Sequence, residues 1–298
     1  MAIGIIAEYN PFHNGHKYQL EEAKRRWPNE EIIVIMSGKY VQRGELAIVS
    51  FKNRSNIALK YGADKVIELP FKYATQAAHI FASGAIEIAN KNNIDKLFFG
   101  SESDDPKRLM LIAQTIHNNL DKYNKDLKSY LKLGYSFPKA AAASLTHLIG
   151  NPITLPNDIL GLEYCKAIVR NKYNITPYTL KRTVDFHSEV PNSMFASASY
   201  IRKQIFLGND VSMYTPMKFN KPIERIEDHY KKFQEIVRNT PADKLKNIKL
   251  VSEGMENLFK KHIDAPNMET FIELTNSRRY TSSRIKRVML YVLLEKYK

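Results

Sequence analysis

The chain has 298 residues, enough for one large domain or two ordinary ones, and a hydrophobic content of 44% supports a packed core. Lys and Arg number 45 against 31 Asp and Glu, a net charge of +14 that points to a polyanionic partner, nucleic acid being the usual one. A single cysteine, Cys165, excludes an internal disulfide, and no stretch reads as a secretion signal or a membrane span, so the chain is expected in the cytoplasm.

The first element sets the pattern. Ile3 to Ala7 is short and β-branched and reads as a buried strand. It breaks at Asn10-Pro11, a turn signal, and His16 to Arg26 reads as an amphipathic helix. His13 and His16 therefore sit where a strand hands over to a helix N-terminus, a place whose unpaired N–H groups favour anions. Gly15, lacking a side chain, leaves room for a phosphate chain close to the backbone.

A second strand, Glu31 to Met36, ends at Ser37-Gly38 and a loop runs from Lys39 to Glu45. Phe51 to Tyr61 reads as a helix stopped by Gly62, Lys65 to Leu69 as a third strand, and Ala74 to Asn90 as one long helix. Lys96 to Phe99 is a fourth strand ending at Gly100-Ser101-Glu102. Pro106 to Gly150 is mostly helical, Leu155 to Asp158 caps a helix over Ile159 to Arg170, and Pro177 to Lys181 is the last strand, with Arg182 just past it. Ala196 to Arg202 opens another helix. After Gly208 strand signals stop, and Lys221–Asn239, Asp243–Lys261, Met268–Asn276 and Thr281–Tyr297 read as helices. The expected division is residues 1–208 and 209–298. The positive charge is denser near the end, with +8 of the +14 from Tyr200 onward.

Strands alternating with helices predict an α/β fold with a parallel sheet. Ligands in such sheets bind beyond the carboxyl ends of the strands. His13, the loop after Ser37, and Gly100-Ser101 all lie at such ends.

His13-Asn14-Gly15-His16 fits the H-x-G-H signature of the nucleotidyltransferase superfamily, and the longer run from Glu8 to His16 resembles one branch of it, the bacterial tRNA(Met) cytidine acetate ligases. The tracts Ser37 to Glu45, Glu68-Leu69-Pro70, Phe99 to Glu102 and Ser197 to Arg202 resemble the family as well, although Leu46 stands where the family's loop usually continues with proline. The resemblance is dense from Ile3 to Arg202 and thins afterwards, Arg278 to Arg287 being a weaker match.

That resemblance implies a Rossmann-like nucleotidyltransferase sheet with helices on both faces, followed by an α-helical C-terminal domain for tRNA. It implies a family that uses ATP and acetate to make acetyl-adenylate and passes the acetyl group to the wobble cytidine of elongator tRNA(Met). His13 and His16 are the expected catalytic pair, stabilising charge on the transferring phosphate. ATP contacts are expected from Ile6, Ala7, Glu8, Asn10, Pro11, Phe12, His13, Asn14, Gly15, His16, Gly100, Ser101, Asn157, Arg182, Ser197, Ser199 and Arg202. Mg²⁺ is expected to accompany the triphosphate, with no metal held by the protein itself. Contacts to tRNA are expected from Arg43, Arg278, Arg279, Arg284, Lys286 and Arg287. A C-terminus shorter than the family's is also expected; the oligomeric state stays open. Two alternatives remain at this point: a cofactor-precursor adenylyltransferase, and a non-catalytic RNA-binding protein on the same fold.

Overall fold

Five strands form one parallel sheet in the order β3-β2-β1-β4-β5: β1 (Ala2–Ala7), β2 (Glu31–Ser37), β3 (Lys65–Leu69), β4 (Lys96–Ser101) and β5 (Thr176–Lys181). The computed structural model describes residues 1–150, 153, 155–182, 193–220 and 222–298. Successive side chains of β2 go to opposite faces: Ile32, Val34 and Met36 to one core, Ile33 and Ile35 to the other. Helices α1 (Asn14–Arg26) and α2 (Phe51–Lys60) supply Leu20, Ala23 and Ala58 to the first core. The second is covered by α4 (Ala78–Lys91), α5 (Pro106–Asn118) and α8 (Pro156–Asn171), which contribute Phe81, Ile86, Ile112 and Leu162. Between α5 and α8 lie α6 (Leu120–Lys132) and α7 (Phe137–Ile149).

Strand order reverses at β1, which has β2 on one side and β4 on the other. A crevice opens beyond the carboxyl ends at that point, and such crevices bind ligands in open α/β sheets.

The rest of the chain is helical: α9 (Ala198–Leu207), a 3-10 turn (Ile226–His229), α10 (Tyr230–Asn239), α11 (Ala242–Leu245), α12 (Met255–His262), α13 (Met268–Thr275) and α14 (Ser282–Leu293). Phe233, Phe259 and Phe271 meet edge to face at the centre of its core. Leu46 belongs to that same core, and Tyr40 and Phe71 pack on it.

Four expected helices differ in the structure. Ala74–Asn90 is broken between a short α3 (Phe71–Ala74) and α4. The break holds Thr75 and Gln76, whose side chains both bond the Tyr291 hydroxyl at 3.1 Å. The helix expected from Lys221, itself outside the described residues, begins only at Ile226, where Asp228 caps the Arg225 N–H at 2.8 Å. Asp243–Lys261 splits into α11 and α12, because Leu250, Glu253 and Gly254 all take positive φ. The last helix ends at Leu293; beyond it, Lys296 O accepts from Lys249 N at 2.7 Å.

Candidate active site

The first turn of α1 is built by its own histidines. His13 is the N-cap, and its Nδ1 accepts from the Gly15 N–H at 3.1 Å. His16, three residues on, accepts the His13 N–H on its own Nδ1 at 3.2 Å. Each imidazole thus occupies the place that a capping-box side chain takes. The rings stack with centroids 3.7 Å apart. A Cβ on residue 15 would lie 2.9 Å from His13 Cε1, so glycine is required by the ring beside it.

This geometry sets the tautomer. A neutral imidazole whose Nδ1 accepts carries its proton on Nε2. Burial, then the charges of Arg182 and Arg202, hold the His13 pKa down to about 3. Burial, His13 and Arg182 likewise hold His16 well below the usual histidine value. Both rings are therefore neutral at physiological pH, and each keeps one Nε2–H donor that the backbone does not use.

The junction ahead of them is pinned from several sides. Tyr9 takes a φ of 47° and is almost fully buried. Asn10 Oδ1 accepts from Ile48 N at 2.9 Å, and Asn10 O accepts from Arg202 at 2.6 Å. Thr215 donates to Phe12 O at 2.6 Å, and the Asn14 side-chain amide donates to Met194 O and Met213 O.

Both histidines line a cavity of about 330 Å³, within the size range of small-molecule sites. Its wall gathers segments from across the chain: Ile6 to Asn10, the loop residues Val41, Gln42, Arg43 and Glu45, Gly100, Asn157, Arg182, Ser199 and Arg202. The three strand ends singled out from the sequence thus converge. Asn157 is oriented by Glu102, which accepts from its side-chain amide at 2.6 Å. The start of α9 faces the same space: Ser197 Oγ accepts from Tyr200 N at 3.1 Å, and Ser199 lies on the wall.

Five residues of the expected ATP set are not on that wall. Pro11 and Phe12 lie behind it, Phe12 fully buried against Tyr9. Asn14 faces the 213–215 segment, and Ser197 serves as the α9 cap. Ser101 turns inward to Asp158, its hydroxyl 2.5 Å from Oδ1. Arg43, expected among the tRNA contacts, is on the cavity wall.

The basic stretch at the other end is divided. Arg278 and Arg279 are exposed. Arg284 bonds Ser252 at 2.8 Å, Lys286 pairs with Glu45 at 2.7 Å, and Arg287 donates to Gln42 O at 3.3 Å. Burial, then the Arg284 charge, push the Arg287 guanidinium down to about 10. Gly44, with φ of 78°, lies directly on α14: a Cβ there would come within 2.5 Å of Arg287 N. One side of the 41–45 loop forms the cavity wall, and the other rests on the last helix.

Arg54 escaped the sequence reading. It is fully buried and donates to the carbonyls of Val49, Glu8, Ser37 and Gly38, tying together the ends of β1 and β2. Its one sequence signal is position: it lies four residues before Ala58, on the face α2 turns to the core. Aromatic wall residues Phe81 and Tyr164 carried no signal beyond core packing.

The chain is similar to known proteins in sequence and in fold. The chain matches the HIGH Nucleotidyl Transferase family over residues 1–298. It is 55% identical over 293 residues to the tRNA(Met) cytidine acetate ligase of Mesomycoplasma hyopneumoniae strain 232, covering 98% of this chain and 92% of that one. It is 54% identical over 296 residues to the ligase of the same name from Mycoplasma mobile, covering 99% of each. A crystal structure of Thermotoga maritima TmcAL, apo form I, superposes with a TM-score of 0.89 at 31% identity, over 100% of this chain and 76% of that one. The same protein bound with alpha-thio ATP superposes with a TM-score of 0.87. By sequence and by fold, the chain belongs to the tRNA(Met) cytidine acetate ligase family of HIGH nucleotidyl transferases.

Proposed function

We propose that this chain joins acetate to ATP to form acetyl-adenylate and then acetylates the wobble cytidine of elongator tRNA(Met) to N4-acetylcytidine. The observation that carries the reading is the pair of neutral, backbone-anchored imidazoles on the cavity wall, in a chain so similar to ligases of that name. ATP occupies the cavity at the topological switch point, as its relative TmcAL is known to bind an ATP analogue.

The reaction needs position and charge, not a protein nucleophile. An acetate oxygen attacks the α-phosphorus, and pyrophosphate leaves. As charge grows on the phosphate oxygens, the Nε2–H groups of His13 and His16 donate to them without reorganising, because Nδ1 of each is already tied down. Arg182 and Arg202 add positive charge on the same wall, and the capped N-terminus of α9 faces the phosphates. Mg²⁺ would neutralise part of the triphosphate charge when bound. In this reading the ion is carried on phosphate oxygens and water. Cys165 is buried in the core with its thiol pushed up to about 12 by burial, which favours direct acyl transfer over a thioester route.

Residues 1–208 form the catalytic part of this reading and 209–298 the tRNA-binding part, with Arg278, Arg279 and Arg284 meeting tRNA phosphate. Among the described residues no helix is long and apolar enough to cross a membrane, and a cytoplasmic location belongs to the same proposal. The test is ATP–pyrophosphate exchange with a panel of carboxylates, with and without tRNA(Met). Acetate-dependent exchange and acetylated cytidine are expected. Exchange driven by a phosphorylated cofactor precursor would replace this reading with the adenylyltransferase alternative.

A further inference from the structure

We propose that Glu8 is the proton acceptor of the second half-reaction, taking a proton from the cytosine N4 amine as that nitrogen attacks the acetyl carbon. The inference rests on the ligase reading above and deepens it.

Three reactants enter this cavity in sequence, and only one suits a carboxylate. ATP and acetate are anions that bring no proton to surrender. The cytosine amine presents two N–H donors, and carboxylates are its usual protein acceptors. It is also a weak nucleophile, and its nitrogen must lose a proton to become an amide, so general base assistance applies at that step.

The wall offers few groups able to serve. His13 and His16 have Nδ1 occupied by backbone N–H groups and carry the proton on Nε2, so they donate and do not accept. Glu45 is committed to Lys286 at 2.7 Å. Burial, the largest influence, would raise its pKa, but Lys286, Arg202 and Arg43 together outweigh it and hold the carboxyl below the ordinary value. Guanidiniums and phenols on the wall do not accept a proton at neutral pH. Glu8 remains.

Its position fits the task. It follows the last residue of β1, five residues before His13. Oε1 accepts from Gln42 N at 2.8 Å, which fixes the carboxylate; among the described residues Oε2 has no hydrogen-bond partner. Beneath it, Arg54 holds the Glu8 carbonyl at 2.6 Å. The charged groups facing it are Arg202 from α9, Arg43 and Glu45 from the loop and Arg54 from α2, with the Tyr164 phenol from α8 nearby. Burial, the largest influence, outweighs the Gln42 hydrogen bond and the arginines and raises the carboxyl above its ordinary 4.5, towards the range of an effective base. The Gln42 loop is in turn carried by α14, so the helical part of the chain helps set this carboxylate.

The step balances as follows. The N4 lone pair forms the N–C bond to the acetyl carbon, and the carbonyl electrons move to oxygen. Glu8 Oε2 takes one N4 proton. The carbonyl re-forms as the C–O bond to AMP breaks, its electron pair leaving on the phosphate oxygen. N4-acetylcytidine, AMP and a protonated Glu8 result, and the proton passes to water.

The test uses the full chain, tRNA(Met) and chemically made acetyl-adenylate, with acetyl transfer followed in single turnovers from pH 4.5 to 8. Wild type should show a one-proton acid limb with its midpoint above 4.5, the ordinary carboxyl value. Glu8→Gln keeps an acceptor for Gln42 but cannot take a proton. Its transfer should fall about a hundredfold and lose the limb, with a much smaller loss in acetate-dependent pyrophosphate exchange. Glu8→Asp should retain the limb. A flat wild-type profile overturns the assignment without any variant. So does Glu8→Gln if it keeps wild-type transfer, or if it loses exchange as heavily as transfer, which would make it an ATP-side residue. If wild type forms no acetyl-adenylate and acetylates no tRNA, the ligase reading itself fails and this one with it. An active wild type with an indifferent Glu8→Gln overturns this assignment alone.

Discussion

The histidine turn after β1 and the basic stretch from Arg278 to Arg287 are both short, chemically dense segments, yet the fold uses them differently. At the histidine turn each side chain is held by backbone within three residues, and one polar edge of each ring is left for a ligand. In the basic stretch only Arg278 and Arg279 are well exposed; Lys286 and Arg287 turn inward to a loop more than two hundred positions earlier. A local motif keeps its chemistry wherever the chain places it. A run of charge does not, because the fold decides which charges reach solvent and which become internal partners.

The comparison breaks first if the histidines are dispensable. His13→Ala and His16→Ala should each lower acetate-dependent pyrophosphate exchange by a hundredfold or more, about 3 kcal/mol of transition-state stabilisation, with circular dichroism near wild type. The pH dependence of stability sharpens the point. The His13 pKa falls from 6.5 to about 3 on folding, so the unfolded chain binds more protons between those values. Stability is fully present above pH 6.5 and declines as pH drops through that window. His13→Gln should shallow the decline in chemical denaturation series.

Next in size is Arg54. Arg54→Met leaves three carbonyl oxygens at the ends of β1 and β2, and that of Val49 ahead of α2, without their donor and should destabilise the fold by about 3 kcal/mol, read from urea denaturation. A loss below about 0.5 kcal/mol would mean that water replaces the guanidinium at those carbonyls.

What could be read from the chain before its fold was known follows the same division. The strands, the alternation with helices and the convergence of three strand ends were legible, because period and turn residues act over a few positions. His13, Gly15 and His16 were legible for the same reason. Arg54 was not: an arginine among polar helix residues looks solvated until the carbonyls it meets are brought to it. The break between α3 and α4 was hidden because its partner, Tyr291, lies 216 positions from Thr75. The Glu45–Lys286 pair, 241 positions apart, was equally out of reach, and with it the inward turn of the basic stretch.

Gly44 tests the contact between the two regions. Its positive φ and its approach to α14 leave no space for a side chain, so Gly44→Ala should destabilise by about 1–2 kcal/mol through strain and displacement of the loop. Acetyl transfer should suffer more than ATP binding, since the loop holds Glu8 through Gln42. Equal loss in both would mean that the loop serves only the nucleotide.

The smallest effect expected is the most discriminating for tRNA. Phosphate contacts release counterions, so each one adds about 0.7–0.9 to the slope of log affinity against log salt. Arg278 and Arg279 are exposed and free to reach a polyanion, although the Arg278 guanidinium also lies 4.4 Å from the centre of the Tyr135 ring. Arg278→Ala/Arg279→Ala should weaken tRNA binding a few-fold at low salt and lower the slope by about 1–2. Pyrophosphate exchange should stay near wild type. Arg287→Ala is the contrasting case, because its guanidinium bonds Gln42 O. It should leave the salt slope nearly unchanged and slow acetyl transfer instead. The reverse pattern, with Arg287→Ala lowering the slope and the exposed pair silent, would place tRNA phosphate in the groove between α14 and the 41–45 loop, close to the cavity where the cytidine must arrive.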